Sequence, residues 1–146
     1  MIKTLPRFGG EGNTRQAVSY MSYESFRIYY PKNKAEQKRW SKEYGMNAYY
    51  SGKHWAVRKQ DAEYWHLLTR SAMNKQEIRK RPFEKPVEIS FLWNDRLDID
   101  NHAIIGKMIV DAMKGRLIND DSRRWVKGVC HYFHDEDYIL IQVREV

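Results

Sequence analysis

The sequence has little cysteine, little proline and no long apolar run: it holds one cysteine and four prolines among 146 residues. A single cysteine excludes an internal disulfide framework and suits a reducing compartment. No segment approaches the roughly 18–20 uncharged apolar residues that a membrane span needs. The first residues, Met-Ile-Lys-Thr-Leu-Pro, lack the apolar core of a signal peptide. We therefore expect a cytoplasmic protein without a membrane partner.

Acidic residues are fewer than basic residues, and this excess of positive charge indicates what kind of molecule the protein binds. Nineteen Asp and Glu face 26 Lys and Arg, which gives a net charge of +7, and aromatic residues make up 14% of the chain. Phosphates attract cations, and unstacked bases stack on aromatic rings, so this composition favours a nucleic-acid partner. A basic protein without such a partner is the alternative.

Hydrophobic periodicity predicts the first elements of the fold. Ser25–Tyr30 has the pattern of a short strand, and Ala35–Tyr44 is weakly helical. Asn47–Trp55 is predicted to be a loop. Asp61–Asn74 predicts a helix with Asp61 near its N-terminal end. A strand follows, in which buried positions alternate with outward ones at Val87, Ile89, Phe91 and Trp93.

The C-terminal part predicts a second helix, His102–Lys114, which Gly115 ends. Two strands near Lys127–Phe133 and Tyr138–Val143 are spaced as a hairpin, and the Trp65 and Trp93 rings are predicted to lie in the core. Together the elements predict one α/β (α+β) domain, a small mixed sheet of about four strands packed with two main helices. Residues 1–45 are expected to form an N-terminal extension or arm, and residues 46–146 the domain.

Closely spaced carboxylates are the most informative feature. If Asp98-Ile99-Asp100 is extended, its two carboxylates point to the same side, with α-carbons roughly 7 Å apart. A divalent cation would relieve their repulsion, and oxygen ligands suit Mg²⁺ or Mn²⁺ better than zinc. Asp121 would complete the site if the chain folds back. The alternative is a solvated turn and helix cap.

These residues belong to an ordered set that resembles the RusA-type Holliday-junction resolvases of phages and prophages. The set comprises Asp98-x-Asp100-Asn101, Lys107-x-x-x-Asp111-Ala112, Asp120-Asp121 and, upstream, Asn47-x-Tyr49-Tyr50-x-Gly52-Lys53-His54-Trp55. The resemblance covers about residues 46–146. It implies a homodimer, in a bacterial host or phage-infected cell, that binds four-way DNA junctions and makes paired, Mg²⁺-dependent nicks. It also implies metal binding by Asp98, Asp100 and Asp121, with Lys107 as a catalytic lysine.

Some side chains have two interpretations. Lys107 could instead pair with Asp111 on a solvated helix face, and three more residues separate it from Asn101 than in the family's founding member. His102 could assist proton transfer, hold phosphate, or be an exposed first-turn residue. Two basic clusters, each of which includes a tryptophan, are candidate DNA contacts or plain solvated surface: Lys53, His54, Trp55, Arg58 and Lys59, and Arg123, Arg124, Trp125 and Lys127. Cys130-His131-x-x-His134 weakly suggests zinc.

The sequence therefore predicts a magnesium-dependent endodeoxyribonuclease acting on branched DNA. A non-catalytic nucleic-acid-binding module is the main alternative, in which the aspartates only cap and solubilise. A metal-dependent hydrolase of small phosphoesters is a third, and it predicts weak salt dependence because it needs no basic surface.

Overall fold

Alternating apolar residues build four strands, and segments of helical period pack against them. The computed structural model describes residues 22–146. The strands are β1 (Tyr23–Tyr29), β2 (Val87–Trp93), β3 (Val126–Phe133) and β4 (Tyr138–Glu145). The α-helices are α1 (Lys34–Tyr44), α2 (Met46–Tyr50), α3 (Trp55–Lys75) and α4 (Ala103–Met113), and a 3₁₀ turn (Ile99–His102) precedes α4. The predicted α+β class and single domain are confirmed.

The sheet has the order β1-β4-β2-β3. β4 is antiparallel to both β1 and β2, whereas β3 is parallel to β2. The predicted hairpin between the last two strands is therefore wrong, because β2 lies between them. The spacing was compatible with a hairpin, but β2 offers each strand an apolar partner: Ile89 lies opposite Val143 on one side and Val129 on the other.

Helix α4 connects the two parallel strands and runs back along the sheet. Near its beginning, Gly106 approaches the rings of Phe91 and His131, which lie in the second half of β2 and β3. Beyond its end, the Leu117 carbonyl accepts a 2.9 Å hydrogen bond from the Phe83 amide, just before β2. The two ends of α4 consequently lie at opposite ends of the parallel strands β2 and β3.

The segment before α2 is part of the core. β1 pairs with β4 along its whole length, and its Phe26 and Ile28 are buried. Trp40 of α1 is buried against Trp65, with ring centroids 4.6 Å apart. Residues 22–45 thus contribute a strand and a helix to the domain and do not form an arm; residues 1–21 lie outside the described residues. Trp65 and Trp93 are both fully buried, as predicted.

Helix boundaries differ from the prediction between α1 and α3. Met46–Tyr50 is a short helix where a loop was predicted. α3 begins at Trp55, where the His54 ring caps it by accepting a hydrogen bond from the Ala56 amide. Asp61 therefore lies inside the helix and is buried, so it does not cap the helix. Among the described residues, no helix has the length and apolar character needed to cross a membrane.

Candidate functional site

Asp98, Ile99 and Asp100 form a tight turn, here called the acidic turn, after β2. The Asn101 amide donates a 3.0 Å hydrogen bond to the Asp98 carbonyl, and the chain enters the 3₁₀ turn at Ile99. The segment is thus not extended throughout, which was the condition for both carboxylates to point to the same side, and it forms a turn as in the alternative, although the Asp98 side chain does not cap it. Asp98 immediately precedes the 3₁₀ turn, in an extended backbone conformation, and Asp100 lies within it. The two exposed carboxylates therefore belong to one short turn and are separated by a single residue.

The buried ring of His102 holds the acidic turn in place. Its Nδ1 lies 3.0 Å from the Ile99 carbonyl oxygen, and its Nε2 lies 2.7 Å from a carboxylate oxygen of Asp95. The ring also stacks on Trp93, with centroids 4.3 Å apart, and has no exposed surface. Both ring nitrogens thus lie within hydrogen-bond distance of an oxygen acceptor. His102 is thus a positioning residue and is not the exposed first-turn residue that was one of the predicted alternatives.

Asp95 links His102 to Tyr30, the residue that follows β1. Its carboxylate accepts hydrogen bonds from the Leu97 amide at 3.0 Å and from the Tyr30 hydroxyl at 3.4 Å. The Tyr30 hydroxyl in turn accepts a 2.8 Å bond from the Asn94 amide. Burial and the negative charge of Asp95 raise the pKa of Tyr30, which keeps its proton for donation. The loop before the acidic turn is therefore fixed from both sides.

The Asp98 and Asp100 carboxylates are left available for an external cation. Both residues are exposed. Within residues 22–146, no side chain or amide holds either carboxylate by a hydrogen bond or an ion pair, and Asp98 does not cap the 3₁₀ turn that follows it. Two neighbouring carboxylates without internal counter-charges repel each other, and a bound cation would remove that repulsion.

Asp121 lies in a different setting, the Asp111–Lys114–Asp121 cluster. The Lys114 ammonium is 3.1 Å from Asp121 and 3.2 Å from Asp111. Its hydrogen bond lowers the pKa of Asp121, and the two carboxylates raise the pKa of Lys114. Asp121 is thus ionised and already neutralised by an internal ammonium. The three-residue step from Asp111 to Lys114 on a helix is a signal that sequence reasoning could have used.

The acidic turn and the Asp111–Lys114–Asp121 cluster are at opposite ends of α4. The helix has 11 residues, which corresponds to a length of about 16 Å. In the part of the chain that the structure describes, no group of three or more Asp, Glu, His or Cys residues is arranged to hold a metal ion. Within one chain, Asp98 and Asp100 come together, but Asp121 does not join them.

Lys107 projects from the middle of α4. Its ammonium pairs with Asp111 at 3.2 Å, and its side chain is 67% exposed. This contact is the i,i+4 alternative, and the catalytic role of Lys107 stays a prediction. The sequence analysis did not identify His66 of α3, which interacts electrostatically with both Lys107 and Asp111. Burial and the charge of Arg70 lower the pKa of His66.

Lys53 has a structural role, unlike the other cations of the first basic cluster. Its ammonium lies 2.5 Å from Asp61 and donates a 2.6 Å hydrogen bond to the Glu43 carbonyl. The side chains of Lys53 and Asp61 are only 14% and 9% exposed, and the Tyr49 hydroxyl donates to the same carboxylate at 2.7 Å. His54, which caps α3, is exposed, as are the other two basic residues of the cluster, Arg58 and Lys59.

Replacement of Lys53 by Met is expected to destabilise the protein by about 3 kcal/mol, because it leaves the buried Asp61 carboxylate without its counter-charge. Lys59→Met, on the exposed face of α3, is the matched control and should change the free energy of unfolding by less than about 0.5 kcal/mol. Urea denaturation measures both. Equal stability of the two variants would contradict a structural role for Lys53.

The second basic cluster lies at the other end of α4, beside Asp121. Arg123, Arg124 and Lys127 are all exposed. The Arg124 guanidinium lies 5.0 Å from the centre of the Trp125 ring, and the Lys127 ammonium donates a 2.8 Å bond to the Arg123 carbonyl. Asp121 therefore has exposed cations near it in sequence, which suits a surface that approaches phosphates.

The Cys130, His131 and His134 side chains do not support the zinc alternative. His131 Nδ1 accepts a 3.0 Å hydrogen bond from the Trp93 indole, and its ring stacks on Phe91. Burial lowers the pKa of His131, which keeps the ring neutral and able to accept this bond. His134 Nε2 lies 2.6 Å from the Tyr138 carbonyl, so the two histidines have separate partners.

Comparisons with known proteins give no match: the chain matches no family model, and none of the curated proteins is significantly similar to it. The functional conclusion therefore depends on the geometry of the acidic turn, the Asp111–Lys114–Asp121 cluster and the exposed cations, together with the motif resemblance.

Proposed function

We propose that the protein is a magnesium-dependent endodeoxyribonuclease that resolves four-way or related branched DNA by paired nicks. The observation that carries the proposal is the acidic turn, with two exposed carboxylates that no described residue neutralises and that a fully buried histidine holds in position. A solvated helix cap has no need for such a support. Its presence favours a turn that must keep its shape when a ligand binds.

The donor set suits a hard cation. Carboxylate oxygens bind Mg²⁺ or Mn²⁺, and such an ion would orient water and neutralise charge that develops on a phosphate. Asp98 and Asp100 would hold it on the acidic turn. The chain's own residues supply the remaining parts: exposed cations that attract phosphates, and a rigid anchor for the carboxylates through His102 and Asp95.

The third carboxylate comes, on this proposal, from a second copy of the chain. Asp121 is about one α4 length away from Asp98 and Asp100 within a chain, so a homodimer that sets the acidic turn of one copy beside Asp121 of its partner would complete the set. A two-fold axis makes two such composite sites, which matches the two nicks that junction resolution requires. Lys114 would have to release Asp121 to the cation.

Incubation of the protein with labelled four-way junction, with and without Mg²⁺, tests the proposal. We expect paired nicks that give resolved duplexes with Mg²⁺, and binding without cutting when EDTA replaces it. Binding without cutting in both conditions would instead favour the nucleic-acid-binding module. Hydrolysis of a small phosphodiester, with no cutting of the junction and no dependence on salt, would favour the third interpretation.

A further inference from the structure

Two of the most exposed aromatic side chains lie close together in sequence at the junction of α2 and α3. Tyr50, the last residue of α2, is 80% exposed, and Trp55, the first residue of α3, is 65% exposed. The ring of His54 lies against Trp55, with centroids 5.6 Å apart and planes tilted by 33°. We call Tyr50, His54 and Trp55 the aromatic platform. Large exposed aromatic rings that lie near one another are a common feature of binding surfaces.

The residues next to the platform, Tyr49 and Lys53, are held in place by their contacts with Asp61. Tyr49, next to Tyr50, is fixed by its hydrogen bond to Asp61, and the Lys53 ammonium lies over its ring at 4.9 Å from the centroid. Lys53 is adjacent to His54 and is itself nearly buried. The exposed rings therefore start from an ordered backbone, which lowers the entropic cost of binding a flat partner.

The platform is also tied to the acidic turn. The Asn47 amide donates a 3.0 Å hydrogen bond to the Asn101 side chain, one residue after Asp100. Tyr50 follows Asn47 by three residues of the same helix, a rise of about 4.5 Å. A base on the platform would consequently be attached to a strand that passes near Asp98 and Asp100.

The local charge suits a nucleic-acid strand. Arg58 and Lys59 are exposed on α3, and the first turn of this helix contains no acidic residue. Asp61, the next acidic residue along the chain, is neutralised by Lys53. The surface around the platform thus combines cations for phosphates with rings for a base, the two components of single-strand recognition.

We propose that Tyr50 and Trp55 stack on an unpaired base of the DNA, so that the enzyme recognises the opened strand at a branch point beside the acidic turn. The inference rests on the proposed function for its biological substrate, but the platform's ligand is defined by its own chemistry, a single-stranded nucleotide. An aromatic protein surface is the competing occupant, and the experiment distinguishes it.

The experiment measures binding of the full chain to a short single-stranded oligonucleotide that carries 2-aminopurine, and to the same sequence as a duplex, in EDTA. The wild-type protein should bind the single strand and quench its fluorescence by stacking. Trp55→Ala should lose about tenfold in single-strand affinity and most of the quenching, and Trp55→Phe should keep both to a large extent. Tyr50→Ala should act in the same direction, and duplex affinity should not change.

Leu67→Ala is the matched control, because Leu67 is 70% exposed on the same helix but lies away from the platform. It should bind both DNA forms as the wild type does. Circular dichroism checks that each variant is folded; Tyr50→Ala, which removes the other exposed ring of the platform, is the second variant if Trp55→Ala does not fold. Unchanged single-strand affinity in Trp55→Ala, equal losses on single strand and duplex, or no single-strand binding by the wild type would each overturn the proposal.

Failure of the platform and failure of the proposed function give different results. A protein that does not cut junctions but binds single strands through Trp55 would keep the platform and lose the nuclease. A protein that cuts junctions, with Trp55→Ala binding and cutting at the wild-type rate, would keep the nuclease and lose the platform.

Discussion

A mixture of the Asp100→Asn and Asp121→Asn proteins is expected to nick a four-way junction that neither variant cuts alone. Each variant by itself should lose cutting by orders of magnitude, because every composite site lacks one carboxylate. In a mixed dimer, one site combines the two substituted residues, while the other combines the intact Asp100 of one copy with the intact Asp121 of its partner. Activity should therefore return at one site for each mixed dimer.

The measurement is nicking of a labelled junction after the two variants are unfolded together and refolded, with Mg²⁺ present. Random pairing makes half of the dimers mixed, so about a quarter of the wild-type number of sites should be active. The product should be mainly singly nicked junction, since the second site is inactive. A mixture of Asp98→Asn with Asp100→Asn is the matched control, because both residues come from the same copy of the chain, and it should stay inactive.

An inactive Asp100→Asn and Asp121→Asn mixture would contradict the composite site if light scattering shows dimers and the junction is still bound. Such a result would mean that each chain uses its own three aspartates after a rearrangement; cutting by Asp121→Asn alone would instead show that Asp121 has no part in the reaction.

The second large effect is expected at His102. Replacement by Ala should lower the free energy of unfolding by about 3–5 kcal/mol, a large share of the 5–15 kcal/mol typical of a domain. The reason is that the change removes a fully buried ring stacked on Trp93, together with its hydrogen bonds to the Asp95 carboxylate and the Ile99 carbonyl. Urea denaturation with tryptophan fluorescence measures the loss.

His102→Phe separates packing from hydrogen bonding. It retains a ring that can stack on Trp93 but cannot donate to Asp95 or Ile99. We expect stability between those of the wild type and His102→Ala, together with cutting that is reduced more than DNA binding, since the acidic turn is no longer held. Wild-type stability and cutting in both variants would show that His102 does not position the turn.

The sequence predicted the elements whose pattern is local. Alternation from Val87 to Trp93 predicted a strand, and the apolar stripe after His102 predicted α4; both are present. The interactions that determine strand order are not local. β2 pairs with strands on both sides, and a four-residue connection such as His134–Asp137 fits either a hairpin or a crossing over the end of β2.

The site was predicted in part for the same reason. The motif singled out Asp98, Asp100 and Asp121, of which the structure places the first two on one turn and Asp121 beside Lys114. It did not reveal that Lys53 is buried with Asp61, because that pair depends on where α2 turns back against α3. Nor did it reveal that α4 keeps Asp121 apart from Asp100, because only the parallel arrangement of β2 and β3 sends the helix back along the sheet.

The pairing of the first strand with the last also determines when the chain can fold during synthesis. Tyr23 lies opposite Arg144 in the sheet, so β1 leaves the ribosome more than 100 residues before its partner. At 5–20 residues per second, that interval is about 5 to 20 s. During this interval β1 lacks β4, the strand with which it pairs, and the aromatic side chains of α1 lack the complete sheet. The core is therefore expected to be completed only after β4 has been synthesised, and deletion of β4 should reduce the yield of folded protein even though Asp98, Asp100 and Asp121 are still present.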